Sequence, residues 1–345
     1  MKAAIYRGTE NIKIKQMEIP EIDDSEALLK VKACSICGTD RKIYKKGREK
    51  ISGEQILGHE ISGEIAEVGS EVEFYKQGMR VSIAPNIGCG YCFVCRQGLE
   101  QLCPDFKALG IGLPGGFAEY VKIPAEALRR GNVTVLPDEM SFGKGALIEP
   151  LACCYNAYES LNIKPGENLL VFGAGVMGNF HLLLNRNLGT GKIIMVDVEK
   201  KRLEFSQKMA ADYTLMNDEQ LEDKIYEISE GRGMDNIITA APVSAVQKQA
   251  LDLLAVGGKI NFFAGLAGDK KIPVSTNDLH YKQQVLTGTT GSSVNQFRHT
   301  LKIAADTNIN IGQMITHCIS LEDLPDILGD DNIFKNNMKI QVQYN

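Results

Sequence analysis

The chain has 345 residues, a formal net charge of −5, 44% hydrophobic and 23% charged residues. This length is ample for two folded domains, and the composition is ordinary for a globular enzyme. The small negative charge offers no basic surface for nucleic acid, and no apolar run is long enough to cross a bilayer. Because the sequence also opens without the apolar stretch of a signal peptide, we expect a cytoplasmic protein with neither nucleic-acid nor membrane partners.

The first 150 residues or so are rich in short runs of β-type sequence separated by glycine-bearing turns. Examples are residues 27–33, 61–68 and 80–84. Closely spaced strands of this kind favour a small barrel or sandwich. The pattern changes around Ile148-Glu149-Pro150.

Two groups of potential metal ligands lie in this part of the chain. In the segment 86–104, four cysteines with the spacing C-x2-C-x2-C-x7-C predict one tetrahedral structural zinc; a pair of disulfides is the alternative, and disulfides are rare in a reducing cytosol. A thiolate, an imidazole and carboxylates elsewhere are candidate ligands of a second, catalytic zinc, although singly the histidine could be a core residue and the glutamates capping or salt-bridging residues. The structural ligands are Cys89, Cys92, Cys95 and Cys103, and the catalytic candidates are Cys37, His59, Glu60 and Glu149. Glu149 would bind directly or hold a metal-bound water.

From about residue 169, predicted strands alternate with predicted helices. This alternation indicates six parallel strands joined by crossover helices, a doubly wound sheet. After about residue 290 the alternation stops. The predicted strands are 169–172, 193–196, 213–215, 236–239, 259–263 and 285–287, and the predicted helices are 176–188, 202–211, 221–229 and 244–254.

A glycine-rich loop follows the first of these strands and opens the first helix. Gly173 allows a tight turn, Gly175 lets the backbone approach a pyrophosphate, and Gly178 lets helix and strand pack closely. The pyrophosphate would lie on the helix N-terminus, at Val176 and Met177, where free N–H groups favour an anion. The loop therefore predicts a dinucleotide site.

The type of dinucleotide is predicted from Asp197, which ends the second strand. A carboxylate there accepts hydrogen bonds from ribose hydroxyls and repels a 2′-phosphate, so NAD is favoured over NADP. Lys201 and Arg202 leave NADP open, because a nearby cation accommodates that phosphate. Residues after the fifth and sixth strands are expected on the nicotinamide side of the site: Gly265, Leu266, Thr287 and Thr289.

Six motifs, in this order over nearly the whole chain, resemble the zinc-dependent medium-chain alcohol dehydrogenases, and within them the sorbitol-type and threonine dehydrogenase branch. The resemblance implies a GroES-like catalytic domain, residues 1–152 and 290–345, with a Rossmann domain, residues 153–289, inserted in it. It also implies a homodimer or homotetramer. The motifs are Cys37-Gly-Thr-Asp40, Gly58-His-Glu-Ile-Ser-Gly63, the four-cysteine lobe, Gly115-Gly-Phe-Ala-Glu-Tyr120, Glu149-Pro-Leu151 and Gly173-Ala-Gly-Val-Met-Gly178.

The resemblance further implies reversible oxidation of an alcohol at zinc, with Thr39 as the hydroxyl that takes the substrate proton. Lys42 stands where many relatives have a relay histidine, so the end of the proton path is open. We expect an NAD-dependent, two-zinc dehydrogenase of a secondary alcohol in a polyol, sugar alcohol or sugar phosphate. The alternatives are an L-threonine 3-dehydrogenase and a non-catalytic dinucleotide-binding relative. The other cysteines, Cys34, Cys153, Cys154 and Cys318, are expected to be buried.

Overall fold

The computed structural model describes residues 1–48, 51, 53–268, 270–306 and 309–345. The chain divides into two compact units. One comprises Met1–Ala152, Ser292–Asp306 and Asn310–Asn345, and the other comprises Cys153–Gly291 together with Ile309. None of the helices in the described ranges has the length and apolar content that are needed to span a bilayer.

The first unit is built around a mixed sheet of seven strands, in which Ala27–Ser35 pairs with three neighbours. Its apolar faces bury residues such as Leu29, Val31 and Ile61. The last strand of the chain, Lys339–Gln343, lies antiparallel to Ala27–Ser35. The strands of this unit are Lys2–Tyr6, Ile12–Gln16, Ala27–Ser35, Gln55–Ile56, Glu60–Val68, Arg80–Ile83, Asn86–Ile87, Lys107–Leu109, Gly112–Leu113, Tyr120–Ile123, Val133–Val135, Ile315–Ile319 and Lys339–Gln343.

Short helices connect these strands, and several of them carry the candidate metal ligands at their first turn. The helix Ile148–Leu161 contains the boundary between residues 152 and 153. The α-helices are Gly38–Lys46, Phe93–Arg96, Ala125–Arg130, Phe142–Ala146, Ile148–Leu161, Val294–Asp306, Leu324–Gly329 and Asp331–Asn336, and the 3₁₀-helices are Glu100–Leu102 and Ile311–Met314.

The second unit is a six-stranded parallel sheet with crossover helices, so the predicted doubly wound fold is confirmed. Its strands, in spatial order, are Tyr213–Met216, Ile193–Asp197, Leu169–Phe172, Met234–Thr239, Leu254–Phe262 and Val285–Gly288. Its helices are Val176–Asn187, Lys200–Lys208, Leu221–Ile228, Ser244–Asp252 and Thr276–Lys282.

Two predicted boundaries in this unit are wrong by several residues. The second helix begins at Lys200 and ends at Lys208, not at Ala211, because Ala210 adopts a positive φ of 66° that stops the helix. The fifth strand begins at Leu254, five residues before its predicted start. It passes through Gly257 and Gly258, and its register with the neighbouring strand is irregular opposite Met234 and Asn236. Glycines in a strand often mark such a bulge.

Candidate functional site

The loop that begins the helix Gly38–Lys46 positions the first candidate zinc ligand. Cys37 is the N-cap residue, and its backbone N–H donates to Oδ2 of Asp40 at 2.8 Å. A carboxylate at the third helical position that reaches back in this way fixes the entry of the chain into the helix. Thr39 lies half-buried in the same first turn, and Lys42 is exposed one turn later.

His59 and Glu60 lie where the chain enters the strand Glu60–Val68. Gly58, just before them, has a φ of 89°, and a Cβ there would approach Sγ of Cys34 to 2.7 Å. Only glycine fits this turn. The N–H of Gly58 donates to Oδ1 of Asp40 at 3.2 Å, so the same aspartate holds both loops of the site.

Cys37, His59 and Glu60 form one cluster, in which the ligand atoms all lie within 4.8 Å of one another. Nδ1 of His59 lies 3.4 Å from Oδ1 of Asp40, which is an ion-pair distance and not an aligned hydrogen bond. Nε2 therefore remains for a metal. Burial lowers the pKa of His59, but the charges of Asp40 and Cys37 raise it well above its usual value. A pocket with this much negative charge around the imidazole suits a bound cation.

The donor set fits zinc, since thiolate, imidazole and carboxylate are its usual protein ligands. Oε2 of Glu60 is buried and has no hydrogen-bond partner among the described residues. Such an atom is costly unless a cation or water satisfies it. The carboxylate–histidine pair of Asp40 and His59 is also the arrangement that orients metal-binding histidines in other proteins.

Glu149, the fourth candidate, is buried in the first turn of the helix Ile148–Leu161 but is not among the residues of the 4.8 Å cluster. Its negative charge nevertheless acts on Glu60 in that cluster. The pKa of Glu60 is raised to about 7, because burial and, to a smaller extent, the negative charge of Glu149 outweigh the lowering effect of Lys339. Whether Glu60 or Glu149 binds the metal directly stays a prediction.

Lys339 is a residue of this site that sequence reasoning missed. It lies 279 positions after Glu60, and its ammonium forms a buried ion pair with Oε1 of that glutamate. The final strand brings it there by pairing with Ala27–Ser35. No local motif marks it; only the three-dimensional sheet reveals the contact.

The four-cysteine lobe is the second cluster of ligands. Four sulfurs that each lie 2.3 Å from a tetrahedral zinc would be about 3.8 Å apart. Sγ of Cys92 lies 3.8 Å from that of Cys103, and Sγ of Cys89 lies 4.0 Å from that of Cys95. These separations are nearly twice a disulfide bond length, and all four cysteines are free thiols. The spacing fits one zinc and not two disulfides.

Backbone N–H groups of the lobe point to two of its four sulfurs. The N–H of Cys92 points to Sγ of Cys89, and that of Cys89 to Sγ of Cys103, each at 3.3 Å. Burial raises the pKa of Cys89, but the N–H groups of Tyr91 and Cys92 lower it to about 6. Gly88 has no room for a side chain, because a Cβ would meet Sγ of Cys95 at 2.7 Å. Four thiolates would fill all the positions of a tetrahedral zinc and leave none for a substrate.

In the second unit, the glycine loop has the shape that a pyrophosphate needs. Gly173 has a φ of 102°, and a Cβ on Gly178 would lie 1.8 Å from the carbonyl oxygen of Gly173. A Cβ on Gly175, in contrast, would meet no protein atom within 4 Å. The open space lies at the N-terminus of the helix Val176–Asn187, whose N-cap Gly175 has no side chain to occupy the free N–H groups.

Asp197 is buried at the end of the second strand of this sheet. Its Oδ2 accepts a hydrogen bond from the N–H of Ala174 at 2.8 Å, and its Oδ1 from that of Glu199 at 2.9 Å. One guanidinium nitrogen of Arg202 lies 3.6 Å from Oδ2. Each carboxylate oxygen keeps a lone pair for a ribose hydroxyl. The structure thus brings Asp197 to the glycine loop, with Arg202 beside it.

The residues assigned to the nicotinamide side are less clearly placed. Gly265 is exposed and Leu266 half-buried after the fifth strand. The hydroxyls of Thr287 and Thr289 are both hydrogen-bonded to the side chain of Asn261, at 3.0 and 3.2 Å. Their assignment to the nicotinamide side stays a prediction.

One expectation about the remaining cysteines is wrong. Cys34 and Cys154 are buried and Cys153 is half-buried, but Cys318 is exposed. Cys318 lies in the strand Ile315–Ile319 at the end of the seven-stranded sheet, where one neighbour is missing. The sequence pattern does not distinguish an edge strand from an interior one.

Comparisons with known proteins place the chain in a family. The alcohol dehydrogenase GroES-like domain matches residues 23–138, and the zinc-binding dehydrogenase domain matches residues 177–306. The sorbitol dehydrogenase of Bacillus subtilis is 32% identical to this chain. The match covers all of this chain and 98% of the sorbitol dehydrogenase. The chain belongs to the zinc-binding alcohol dehydrogenases. An L-threonine 3-dehydrogenase of Rhizobium johnstonii is 30% identical over 94% of both chains.

A solved structure has the same fold. It is a zinc-binding dehydrogenase of Sinorhizobium meliloti bound to NADP, 29% identical, with a TM-score of 0.89 over 99% of both chains. The predicted GroES-like and Rossmann folds and the predicted zinc-dependent dehydrogenase class are therefore confirmed. The predicted class of cofactor, a nicotinamide dinucleotide, is confirmed as well, whereas the NADP of that relative leaves the preference for NAD undecided.

Proposed function

We propose that this dehydrogenase oxidises a secondary alcohol of a polyol, sugar alcohol or sugar phosphate to the ketone, and reduces NAD in the same step. The observation that carries the proposal is the cluster of Cys37, His59 and Glu60, whose ligand atoms lie within 4.8 Å of one another in a chain of this family. A half-buried thiol, a buried imidazole and a buried carboxylate oxygen without a hydrogen bond from any described residue are costly to keep together unless a cation binds there.

Cys37, His59 and either Glu60 or Glu149 would hold the catalytic zinc, which supplies the Lewis acidity that makes an alcohol easier to deprotonate. The carboxylate of Asp40 faces Nδ1 of His59 at 3.4 Å and so favours Nε2 as the nitrogen that binds the metal. Thr39, half-buried in the first turn of its helix, takes the hydroxyl proton of the substrate. Lys42 lies one helical turn further and is exposed, so a proton that passes from Thr39 in this direction would reach solvent there.

The preference for NAD rests on Asp197. Its buried carboxylate is already oriented by two backbone N–H groups, so it is prepared to accept ribose hydroxyls and to repel a 2′-phosphate. Replacing it by Ala should weaken NAD binding by about 1–3 kcal/mol and relax discrimination against NADP. Asp197→Asn and Arg202→Ala are the matched controls. If the native enzyme binds NADP better than NAD, then Arg202 and not Asp197 determines the cofactor preference.

The substrate class is tested by an NAD-reduction screen over polyols, their phosphates, inositols and threonine, with zinc content measured on the same preparation. We expect two zinc ions per chain and turnover with a polyol or its phosphate. Exclusive turnover of threonine would establish the second candidate, which the 30% identity to an L-threonine 3-dehydrogenase favours. Hydride transfer with full activity in zinc-free protein would overturn both.

We also propose that the enzyme acts in the cytoplasm as a homodimer or homotetramer. The nine cysteines, all free thiols, accord with a reducing compartment. Sedimentation of the purified enzyme measures the oligomeric state directly, and a monomer at micromolar concentration would contradict this part of the proposal.

A further inference from the structure

Asn261 is a buried polar side chain in the parallel sheet of the second unit. It lies in the fifth strand, Leu254–Phe262, and is 0% exposed. Strands that are buried in a parallel sheet are usually continuous apolar runs. The residue before Asn261, Ile260, and the residue opposite it on the fourth strand, Ile238, follow that rule. An amide at this position therefore needs hydrogen-bond partners.

The partners of Asn261 are two threonines at the end of the sixth strand. Nδ2 of Asn261 donates to Oγ1 of Thr287 at 3.0 Å, and Oδ1 accepts a hydrogen bond from the hydroxyl of Thr289 at 3.2 Å. The hydroxyl of Thr287 donates in turn to the carbonyl oxygen of Ile260 at 3.2 Å. One side chain thus holds the segment from Thr287 to Thr289 against the fifth strand.

The order of the strands gives this segment its place in a dinucleotide site. The glycine loop and Asp197 follow the first and second strands, in one half of the sheet, and the fourth, fifth and sixth strands form the other half. In a doubly wound sheet of this order, each half binds one mononucleotide at the carboxyl ends of its strands. Since Asp197 suits the adenosine ribose, the carboxyl ends of the other half, where Asn261 and Thr287 lie, suit the nicotinamide mononucleotide.

Two glycines near the same carboxyl ends leave open space beside the backbone. Gly288 lies between the two threonines, and Gly265 follows the fifth strand. Neither has a positive φ. A Cβ would meet no described protein atom within 4 Å at Gly265, and only the carbonyl oxygen of Phe262, at 3.7 Å, at Gly288. Packing therefore does not require glycine here, as it does not at Gly175 of the pyrophosphate loop. Glycine in such a place lets a ligand approach the backbone closely.

We propose that Asn261 is a positioning residue for the nicotinamide half of the dinucleotide. The sixth strand is the outermost strand of the described sheet, so it has a neighbour on one side only. Asn261 ties Thr287 and Thr289 to that neighbour and keeps the backbone beside Gly288 on one fixed path. Because Asn261 is fully buried, it acts through the two threonines and not by contact with the ligand. The inference rests on the proposed use of NAD and on the placement of its nicotinamide beside Thr287 and Thr289.

The test measures the binding of two ligands to the full-length enzyme by calorimetry. NADH carries the nicotinamide ring, whereas ADP-ribose contains the rest of the dinucleotide and lacks that ring. Asn261→Leu keeps the approximate shape of the side chain and removes both of its hydrogen bonds to the threonines. It should raise the Kd for NADH by about 10-fold, the effect of roughly one lost hydrogen bond, and leave the Kd for ADP-ribose unchanged.

Two further comparisons separate positioning from general destabilisation. Asn236→Leu removes another buried asparagine, which lies near the amino end of the fourth strand and donates to Glu167. It should lower the melting temperature without changing the ratio of the two Kd values. Thr287→Val with Thr289→Val should reproduce the loss of NADH affinity, and adding Asn261→Leu to this pair should cause no further loss, because residues that act through one another are not additive. Both threonines are half-buried, so this pair tests the inference even where Asn261→Leu does not fold.

The outcomes separate this inference from the proposed function. A wild-type enzyme that binds neither ligand would overturn the dinucleotide site and the inference together. Equal weakening of both ligands, or no change in either, in Asn261→Leu or in the threonine pair would overturn only the role of Asn261, as would a wild type that binds NADH no tighter than ADP-ribose. Failure to oxidise any polyol would overturn the proposed substrate class and leave this inference standing, because NADH binding is measured without an alcohol.

Discussion

The two clusters of metal ligands in this enzyme are built in opposite ways. The four cysteines of the lobe lie within 15 residues, and local backbone N–H groups point to their sulfurs. Cys37, His59 and Glu60 come from two separate loops, and the residues that orient them include Asp40 and a lysine from the last strand. The lobe takes all its ligands from one continuous segment, whereas the second cluster draws on residues that are far apart in the chain.

This difference teaches where function resides. The lobe presents four similar ligands, so a bound zinc would have all its positions filled by protein and would serve stability. The second cluster mixes ligand types and leaves a buried carboxylate oxygen unpaired. Burial raises the pKa of its Glu60, although the ammonium of Lys339 lowers it. Perturbed groups of this kind gather at functional sites.

The largest expected effect comes from removing a ligand of the second cluster. His59→Ala should lower the zinc content from two ions to one and abolish nearly all turnover, a loss beyond the roughly 100-fold that accompanies loss of a supporting residue. Cys37→Ala should behave in the same way. Zinc content and kcat of the same preparation are the measurements, and His317→Ala, at an exposed histidine, is the control. Retention of two zinc ions in His59→Ala would show that the second cluster does not bind zinc through His59.

A smaller loss is expected when the support of a ligand is weakened. Asp40→Asn keeps the shape of the side chain but removes the charge that faces Nδ1 of His59. We expect metal affinity or turnover to fall by about 10–100-fold while both zinc ions still bind at saturating metal. Chelator competition and kcat measure the effect. Asp326→Asn, at an exposed aspartate on another helix, should leave both unchanged; a silent Asp40→Asn would contradict the role of this carboxylate.

The same contrast explains how much the sequence could predict. The cysteine lobe and the glycine loop are recognised from spacing alone, because each is one continuous segment with steric demands such as those at Gly173 and Gly178. The doubly wound sheet was likewise predicted from its alternating pattern. Lys339 was missed because only the pairing of the last strand with Ala27–Ser35 brings it to Glu60. Helix and strand ends were misplaced where tertiary structure overrides local preference, as at Ala210 and Gly257.

Breaking the cage of the lobe should affect stability more than chemistry. Cys92→Ser removes one sulfur of the tetrahedron, so the lobe should lose its zinc and the melting temperature should fall, while kcat of the folded enzyme changes by less than in Asp40→Asn. Metal content, a thermal melt and kcat test this together. Cys318→Ser, at an exposed thiol, is the control. A fresh Cys92→Ser protein with two zinc ions and an unchanged melt would show that the lobe is not a zinc cage.

The smallest expected effect concerns a histidine that has no site around it. His181 is buried like His59, but neither of its ring nitrogens has a hydrogen-bond partner in the described part of the chain, and its ring packs edge-on against Phe263 at 4.6 Å. Burial lowers its pKa from 6.5 to about 3. Asp40 and Cys37 do the opposite for His59. Comparison of the two histidines thus distinguishes the effect of burial alone on the pKa from the effect of burial beside anionic groups.

The sign of the pH effect at His181 follows from these values. Below pH 6.5 the unfolded chain binds a proton that the folded protein excludes until about pH 3, so this residue's contribution to stability is complete above 6.5 and is lost as the pH falls. The slope is at most about 1.4 kcal/mol per pH unit for one proton. His181→Leu should flatten the fall of the melting temperature between pH 6.5 and 4.5 and change it little at pH 7.5. His299→Leu, at an exposed histidine, is the control, and an equally steep profile in His181→Leu would show that His181 takes up its proton in the folded protein.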